Sequence, residues 1–542
     1  MTPLLFVLGA IAAGFAGWRA VRRTRFFLHV FQLETYKLDR YRRWVGDHLP
    51  TVFRRSHAVG AAILVVGVLL VDVLPSAWLV AGLLLGWTLA FISSKRYRST
   101  REKKPLAFTA RMTRLAGATA VCASLPLIAG AILGWGMGVP HGVLWVLLGA
   151  WLTDLGAPLW VALGALLMQP VETSIQNGFK RQARQTLAAR PDLTVIGITG
   201  SYGKTSTKFI LAELLRQKYN VLATPSSYNT PMGICLVVNE KLKPEHQILV
   251  LEMGMRYRGD IQELCAIAPP DLSIVTTVGV AHLDSMGSIE NIAREKGDIL
   301  EYMKPGGDAV LNVDNDYVAQ MPERATGPVH TVSVEGRDGA DVTAHDIRYD
   351  TEGTRFRVET ADGEAADFRT KLLGVHNVLN VLLAVATGRA LGLRLRQMAH
   401  AVRRVEPVEH RLALRSENGI TIIDDAFNSN PVGARNAVDI LGRMDGGRRV
   451  IVTPGMVEMG ERQDEENRTL GQHIARHDID LAVLIGDDQT AAIQEGLHTA
   501  HVPDDRIRVF DSLFDAQDFL KTYLKPGDVV LYENDLPDQY SG

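Results

Sequence analysis

The segment Val195-Ile-Gly-Ile-Thr-Gly-Ser-Tyr-Gly-Lys-Thr-Ser206 holds the residue types needed to bind a nucleoside triphosphate. Gly200 and Gly203 let the backbone turn tightly around Ser201 and bring N–H groups onto phosphate oxygens. Lys204 adds a mobile positive charge, and Thr205, followed by Ser206, adds a hydroxyl for Mg²⁺. The common form of this motif places glycine where Ile198 stands, so the loop is a variant. A second candidate is Glu252, the acid that ends the apolar run Ile248-Leu-Val-Leu-Glu252. A carboxylate at the buried end of a strand is costly unless it serves a site, and this one suits the metal of Thr205. His282, in Val280-Ala-His-Leu-Asp284, is placed for a second metal, although a lone histidine is more often structural.

These groups need a particular scaffold. Residues 195–199 read as a buried strand, 206–216 as a helix that points its positive dipole end at the phosphates, and 248–252 and 271–278 as two more strands. Ligands of an open α/β sheet sit at the carboxyl ends of such strands. The turn-rich segment 227–233 supplies Asn229 and Thr230 as substrate contacts. Between 331 and 372 an alternating, turn-rich pattern predicts a short antiparallel β insert. Strands at 420–423, 449–453, 481–485, 507–510 and 529–532 alternate with helical segments, which predicts a small doubly wound domain.

The first part of the chain has another character. Over 542 residues the composition is 47% apolar and 22% charged, but the apolar share is concentrated in runs at 4–18, 58–74, 77–92, 115–135 and 143–168. We read these as five membrane spans. Basic residues follow the first run rather than precede it, which fits an anchor and not a signal peptide. Residues 19–55 hold ten Lys/Arg against three Asp/Glu, and 95–104 hold six against one. By the positive-inside rule both patches are cytoplasmic, which puts the N-terminus outside and everything after Met168 on the side where nucleotide is available. The last run contains Thr153-Asp-Leu-Gly-Ala-Pro158 and is expected to be one kinked helix or a re-entrant hairpin. Asp154 is either an intramembrane site or a solvated residue at that break. Residues 26–48, with Phe27, Phe31, Tyr36, Tyr41 and Trp44 among arginines, read either as an interfacial helix against anionic lipid or as a plain helical loop. The net charge of −2 gives no sign of nucleic-acid binding, and Cys122, Cys235 and Cys265 share no metal-like spacing, which fits a reducing compartment.

Taken together, the motifs resemble those of the Mur ligases, the ATP-dependent amide ligases of cell-wall peptide assembly. Gly-x-x-Gly-Lys-Thr after Ile-Gly-Ile-Thr is their form of the phosphate loop. Gly279 to Asp298 resembles the segment in which a histidine, here His282, binds Mg²⁺ and a lysine before Gly-(Glu/Asp), here Lys296, is carbamylated and joins a second metal. The alternative for Lys296 is a surface lysine paired with Glu295 or Asp298. Leu311-Asn-Val-Asp-Asn315 resembles a strand-end turn of the central domain. Leu373 to Asn380 resembles the adenine-side segment and implicates Asn377 and Asn380. His410-Arg411 resembles a hinge pair whose arginine reaches the polyphosphate. Asp424-Asp-Ala-Phe-Asn-Ser-Asn-Pro431 and Gly455-Met-Val-Glu-Met-Gly460 are similar to motifs of the D-alanyl-D-alanine-adding branch, in which the second aspartate, here Asp425, meets ribose.

The apolar runs give an α-helical membrane domain (1–170) and a linker helix (171–190), and the resemblance implies a P-loop Mur ligase central α/β domain (191–408) and a C-terminal Rossmann-like domain (409–542). It implies ATP and two Mg²⁺ ions, with Lys204, His282 and Lys296 as catalytic residues and Thr205, Glu252, His282 and Lys296 as metal ligands. The expected activity joins a small-molecule or lipid-linked carboxylate to an amine, an amino acid or a dipeptide, through an acyl phosphate at the inner membrane. Two departures stand out. No second glycine-rich nucleotide site precedes Thr194 where soluble members hold UDP, and the chain ends in Tyr532-Glu-Asn-Asp-Leu-Pro-Asp-Gln-Tyr540 rather than Lys-Gly-Ser-Arg. The other class considered is a transport-coupled membrane ATPase, which would share the phosphate loop but not need Lys296 or the second α/β domain.

Overall fold

Continuous Val/Ile runs bounded by glycine or proline can bury both faces of a strand, and the computed structural model places each of them inside a parallel sheet. It describes residues 2–92, 106–225, 228–350, 352–407, 412–425, 431–457, 459 and 462–534. Two compact units result, Met1–Gly178 and Phe179–Gly542.

In the second unit, β1 (Thr194–Thr199) is the third strand of a nine-stranded sheet. It pairs in parallel with β3 (Ile248–Glu252) and β4 (Leu272–Val275), with β2 (Val221–Ala223) outside β3 and β5 (Asp308–Asn312) and β6 (Val329–Ser333) beyond β4. The 331–372 region forms β7 (Val342–Asp350), β8 (Gly353–Thr360) and β9 (Ala365–Thr370). These strands are antiparallel to one another as expected, but they extend the main sheet through a parallel β6–β7 pair instead of standing apart.

Helices cover both faces of this sheet. On one, α9 (Lys204–Leu215), α14 (Val375–Ala390) and α15 (Leu395–Val402) bury Leu211, Val381 and Met398 against Ile198 and Val250. On the other, α10 (Pro231–Glu240), α11 (Asp260–Ile267) and α13 (Ile289–Glu301) pack on Leu249 and Leu251.

The C-terminal strands form a second sheet. Its order is β10 (Ala413–Glu417), β11 (Ile420–Asp425), β15 (Val529–Glu533), β12 (Arg449–Thr453), β13 (Leu481–Ile485) and β14 (Ile507–Phe510), with only β10 antiparallel. Helices α16 (Pro431–Arg443), α17 (Gln463–Ala475) and α18 (Asp487–Thr499) lie on one face and α19 (Leu513–Tyr523) on the other, the doubly wound arrangement predicted.

The first unit is helical: α1 (Thr2–Leu33), α2 (Leu38–Asp47), α3 (Leu49–Val52), α4 (Arg55–Leu70), α5 (Ser76–Ile92), α6 (Ala110–Trp135), α7 (Val139–Leu155) and the larger part of α8 (Ala157–Ala188), whose last turns belong to the second unit. Among the described residues, α6 is long and apolar enough to cross a membrane by itself, and α7 and α8 pass the same test together, bent by 71°. The bend falls at Gly156, where a Cβ would meet the Trp160 ring and the Leu152 carbonyl, inside the break expected at 153–158.

Two sequence-based alternatives resolve inside this unit. Asp154 is not solvated: it is buried, and its Oδ2 lies 3.0 Å from Arg19 Nε and 2.9 Å from His57 Nε2. Nor do the aromatic residues of 26–48 form an outward lipid face, because Phe27, Phe31 and Tyr41 are buried with Val52, Met112 and Val161. Arg19 and Arg23, counted in the first basic patch, also turn inward, where Arg19 donates to Ser56 Oγ at 2.7 Å and Arg23 to the Val52 carbonyl. The three cysteines are free and buried.

Removing one partner of a buried ion pair leaves the other charge uncompensated. Asp154→Ala is therefore expected to destabilise the helical unit by about 3–5 kcal/mol, and Asp154→Asn by less. Thermal melts of the purified full-length chain check this, and equal melting of Asp154→Ala and wild type would contradict it.

Candidate functional site

Strand β1 delivers the phosphate loop to the carboxyl edge of the central sheet, and two glycines shape it. Gly200 has φ 148° and Gly203 φ 82°. A Cβ at Gly200 would lie 1.9 Å from Thr276 Oγ1, and one at Gly203 2.6 Å from Asn380 Oδ1. Ser201 fastens the loop to the next strand end, its N–H donating to the Thr277 carbonyl at 2.7 Å and its Oγ accepting from the Gly279 N–H at 2.8 Å. Lys204 folds back over the loop and donates from Nζ to the Gly200 carbonyl at 2.6 Å. Ser206 sits half-buried in the first turn of α9.

Glu252 ends β3 fully buried and is held from several sides. Thr205 Oγ1 donates to its Oε2 at 2.8 Å, Lys208 Nζ lies 3.2 Å from the same oxygen, and Asn229 Nδ2 donates to Oε1 at 3.1 Å. Thr205 and Glu252 thus place a hydroxyl and a carboxylate oxygen together, the donor set a hard cation such as Mg²⁺ prefers. The position of Asn229 is set by this contact. Thr230 caps α10, its Oγ1 accepting from the Gly233 N–H at 3.3 Å.

Lys296 lies on the inner face of α13 with 1% of its surface exposed. The carboxylates expected to pair with it as a surface lysine are committed elsewhere. Glu295 accepts from the N–H groups of Gly259 and Ile261, each at 2.9 Å, and Asp298 pairs with Arg324 at 2.6 Å. Burial, reinforced by the charge of Lys204 and opposed by Glu295, pushes the Lys296 ammonium down to about 7. His282 stands in the left-handed region, φ 69°, at the start of α12 (Leu283–Met286). Its imidazole is driven below its usual range by partial burial and then by Lys296, Lys204 and Arg256, so His282 shares one electrostatic neighbourhood with both lysines. Burial also lowers the ammonium pKa of Lys204 and Lys208 against the pull of Glu252.

Asn377 and Asn380 line the inner side of the loop in α14. Asn380 Oδ1 accepts from Thr207 Oγ1 at 3.1 Å, its Nδ2 donates to Asn377 Oδ1 at 3.2 Å, and Asn377 Nδ2 donates to the Leu373 carbonyl at 2.8 Å. Asp425 ends β11 and accepts from the Leu412 N–H at 3.1 Å. Arg411 and residues 426–430 lie outside the described residues, as do Glu458 and Gly460 of the 455–460 motif.

Sequence reasoning missed Lys208, Arg256 and Thr276. The signal for Lys208 was its spacing, since Lys204 and Lys208 are four residues apart on α9 and follow the same face round. Exposed helices carry lysines at every spacing, which hid it.

Known proteins share this arrangement. The Mur ligase middle domain matches residues 198–388, and the Mur ligase glutamate ligase domain matches residues 410–532. The UDP-N-acetylmuramoyl-tripeptide–D-alanyl-D-alanine ligase of Mycobacterium tuberculosis is 35% identical over 360 residues, spanning 62% of this chain and 70% of the relative. The chain belongs to the Mur ligase family. The Bacillus subtilis ligase of the same name is 30% identical over 347 residues, 62% of this chain and 72% of its own. Among solved structures, MurF from Acinetobacter baumannii aligns with a TM-score of 0.57 at 27% identity, over 66% of this chain and 77% of that one. MurF from Thermotoga maritima in complex with ADP aligns with a TM-score of 0.56 at 28% identity, over 66% and 80%. Members of this family are ATP-dependent carbon–nitrogen ligases that use ATP and Mg²⁺, and the present chain is such a ligase. The match at 410–532 favours this over a transport-coupled ATPase, which has no use for a ligase domain.

Lys204 is the mobile cation of the loop, so Lys204→Ala should lower ATP-dependent turnover by on the order of 10³-fold, the effect of losing a preorganised charge at a transferring phosphoryl group. Phosphate release measured with saturating substrates checks it. Turnover within a few-fold of wild type would remove Lys204 from the site.

Proposed function

We propose that this ligase joins the carboxylate of a cell-wall peptide precursor to an amine of the D-alanyl-D-alanine type, and that it works at the inner membrane with its ligase domains in the cytoplasm. The observation that supports the chemistry best is the buried Lys296 beside Lys204 and His282, a lysine with no ion pair among the described residues and a pKa near neutrality. The substrate carboxylate oxygen attacks the γ-phosphorus of ATP, ADP leaves, and the amine then displaces inorganic phosphate from the acyl phosphate to form the amide. Lys204 and the loop N–H groups hold the polyphosphate, and Thr205 and Glu252 would hold Mg²⁺, which when bound neutralises phosphate charge. Asn377, Asn380, Arg411 and Asp425 would serve the nucleoside side, and Asn229 and Thr230 the substrate side.

On this reading Lys296 is carbamylated. Its neutral amine attacks CO₂, a C–N bond forms and one proton is released, so a buried cation becomes an anion able to join His282 around a second Mg²⁺. Burial makes the neutral amine available at ordinary pH. Because its folded pKa, about 7, lies below the 10.5 of a free lysine, the folded chain binds fewer protons than the unfolded one between those values. The penalty for burying Lys296 therefore shrinks as pH rises through that window, and the amine becomes reactive from the lower end of it.

The membrane assignment rests on how the helical unit is turned out. Trp78 is 71% exposed and Ile132 69%, alongside Leu69, Val121 and Leu167, while Arg19, Arg23, His57 and Asp154 are inside. Such an apolar exterior around a polar centre suits lipid and not water. It makes a lipid-linked carboxylate the substrate form that an anchored ligase would meet most readily. Domains at 1–170, 171–190, 191–408 and 409–542 and five spans go with this proposal.

Lys296→Ala should be nearly inactive and regain part of its turnover with formate or acetate, which can occupy the vacated carboxylate position. Near-wild-type turnover of Lys296→Ala, or an unmodified lysine by intact-protein mass and ¹³C-bicarbonate NMR above pH 8, would reject carbamylation. Reporter fusions after Arg55, Lys104 and Met168 should read cytoplasmic and one at Pro140 outside. An outside signal after Met168 would overturn the membrane scheme.

A further inference from the structure

Away from the phosphate loop, three metal-capable side chains converge between two helices of the C-terminal domain. Asp439 comes from α16, and His473 and His477 come from the last turn of α17 and the residues just past it. The Asp439 Oδ1 atom lies 2.6 Å from His473 Nε2 and 2.9 Å from His477 Nε2. One ligand atom from each of the three residues falls within 4.8 Å of the others. We propose that Asp439, His473 and His477 bind a divalent transition-metal ion of the zinc type.

Four features carry this beyond two histidines hydrogen-bonded to an acid. The imidazoles present the same nitrogen, Nε2, to one carboxylate oxygen, His473 from the last turn of α17 and His477 from the turn that follows it. The position of His477 is built into α16: a Cβ at Gly442 would lie 2.5 Å from His477 Nδ1, so only glycine leaves the ring its place. The C-terminal end of α17 is the negative end of its dipole and favours a cation there. The three groups are half-buried, with side-chain exposures of 17% for His473, 21% for His477 and 37% for Asp439, so an ion would be enclosed on one side and open to a water ligand on the other.

Two imidazoles, one carboxylate and an open fourth position are the ligand set of a tetrahedral zinc-type ion, whereas Mg²⁺ prefers six oxygens. Ligand atoms about 2.0–2.1 Å from a tetrahedral ion are roughly 3.3 Å apart, so the present nitrogen–oxygen separations of 2.6 and 2.9 Å must widen by about 0.7 and 0.4 Å, within reach of small side-chain rotations. Arg443 opposes the site, because its charge reaches His477, and must stay turned towards solvent when the ion binds. Tyr349, at the end of β7, feels the charges of both Arg443 and Asp439, and its backbone bridges to Met444. A metal here would pin α16 to α17 beside the point where the central meander meets the C-terminal domain.

Full-length protein without a histidine tag, titrated with Zn²⁺ in the presence of excess Mg²⁺, should bind one equivalent and melt at a higher temperature. His473→Ala and His477→Ala should each weaken that binding by at least about tenfold. Gly442→Ala, which keeps all three ligands but crowds His477, should weaken it as well while leaving ligation unchanged. Crystals soaked in Zn²⁺ should show an anomalous peak between the three side chains. The proposal falls if the wild-type chain takes up no Zn²⁺, if the histidine variants bind it as tightly as wild type, or if the anomalous peak lies elsewhere.

Discussion

The surplus of positive charge at the carboxyl edge of the central sheet is the constraint on which the rest of the site depends. Lys204 and Lys208 are drawn out of water around the buried carboxylate of Glu252, and Lys296 is buried beside Lys204 and Glu295, with Arg256 and His282 in the same field. Such a collection is unfavourable by itself, because each ammonium loses hydration and repels the others. The folded chain manages it by giving Glu252 to Lys208 and Thr205, by folding Lys204 onto loop carbonyls, and by lowering the proton affinity of Lys296. A polyphosphate entering this edge supplies the missing negative charge. Binding energy is therefore built in before the nucleotide arrives, and the loop carbonyl holding Lys204 is a partner that a phosphate oxygen can outbid.

The same constraint accounts for which residues are buried where. Glu295, next to Lys296, does not neutralise it because its carboxylate accepts two backbone N–H groups at the start of α11. That arrangement fixes the start of α11, where Asp260 lies, and it leaves Glu295 acting on Lys296 only through its charge, too weakly to offset burial and Lys204. A glutamate in place of Lys296 would carry its charge permanently, next to Glu295 and during folding as well as after it. A lysine that turns anionic by reaction with CO₂ would acquire that charge only once the site has closed around it, if the carbamate forms as proposed.

Much of this edge was legible in the sequence because strands that are buried on both faces must be apolar throughout. β3 here and β13 in the second sheet, buried along their whole length, follow their Val/Ile/Leu runs closely. The glycine spacing of the loop and the acid closing β3 were readable for the same reason, as each breaks an otherwise apolar pattern. Lys208 was not, since a lysine on a helix is ordinary until the fold shows that its face is covered. The burial of Lys296 was equally hidden: Arg294-Glu-Lys-Gly-Asp298 is a polar stretch whose inward residue depends on how α13 rolls against the sheet. In the helical unit the basic count of residues 19–55 concealed that Arg19 and Arg23 point inward, because a charge count carries no information about direction.

That inward turn has a physical consequence of its own. Helices whose apolar side chains face outward gain nothing from burying them against one another in lipid, so their association needs close backbone approach or polar contacts. Both are present. Gly130 lies against the Trp145 backbone and Gly149 against that of Pro126, too near for any Cβ, which lets α6 and α7 touch along their length. Asp154 then gathers α1, α4 and α7 onto one carboxylate through Arg19 and His57. Buried as they are, each partner is costly alone, and Oδ2 of Asp154 satisfies both Arg19 and His57. The polar centre thus holds the helices together from within, and the apolar exterior is the face that the proposed membrane setting would cover.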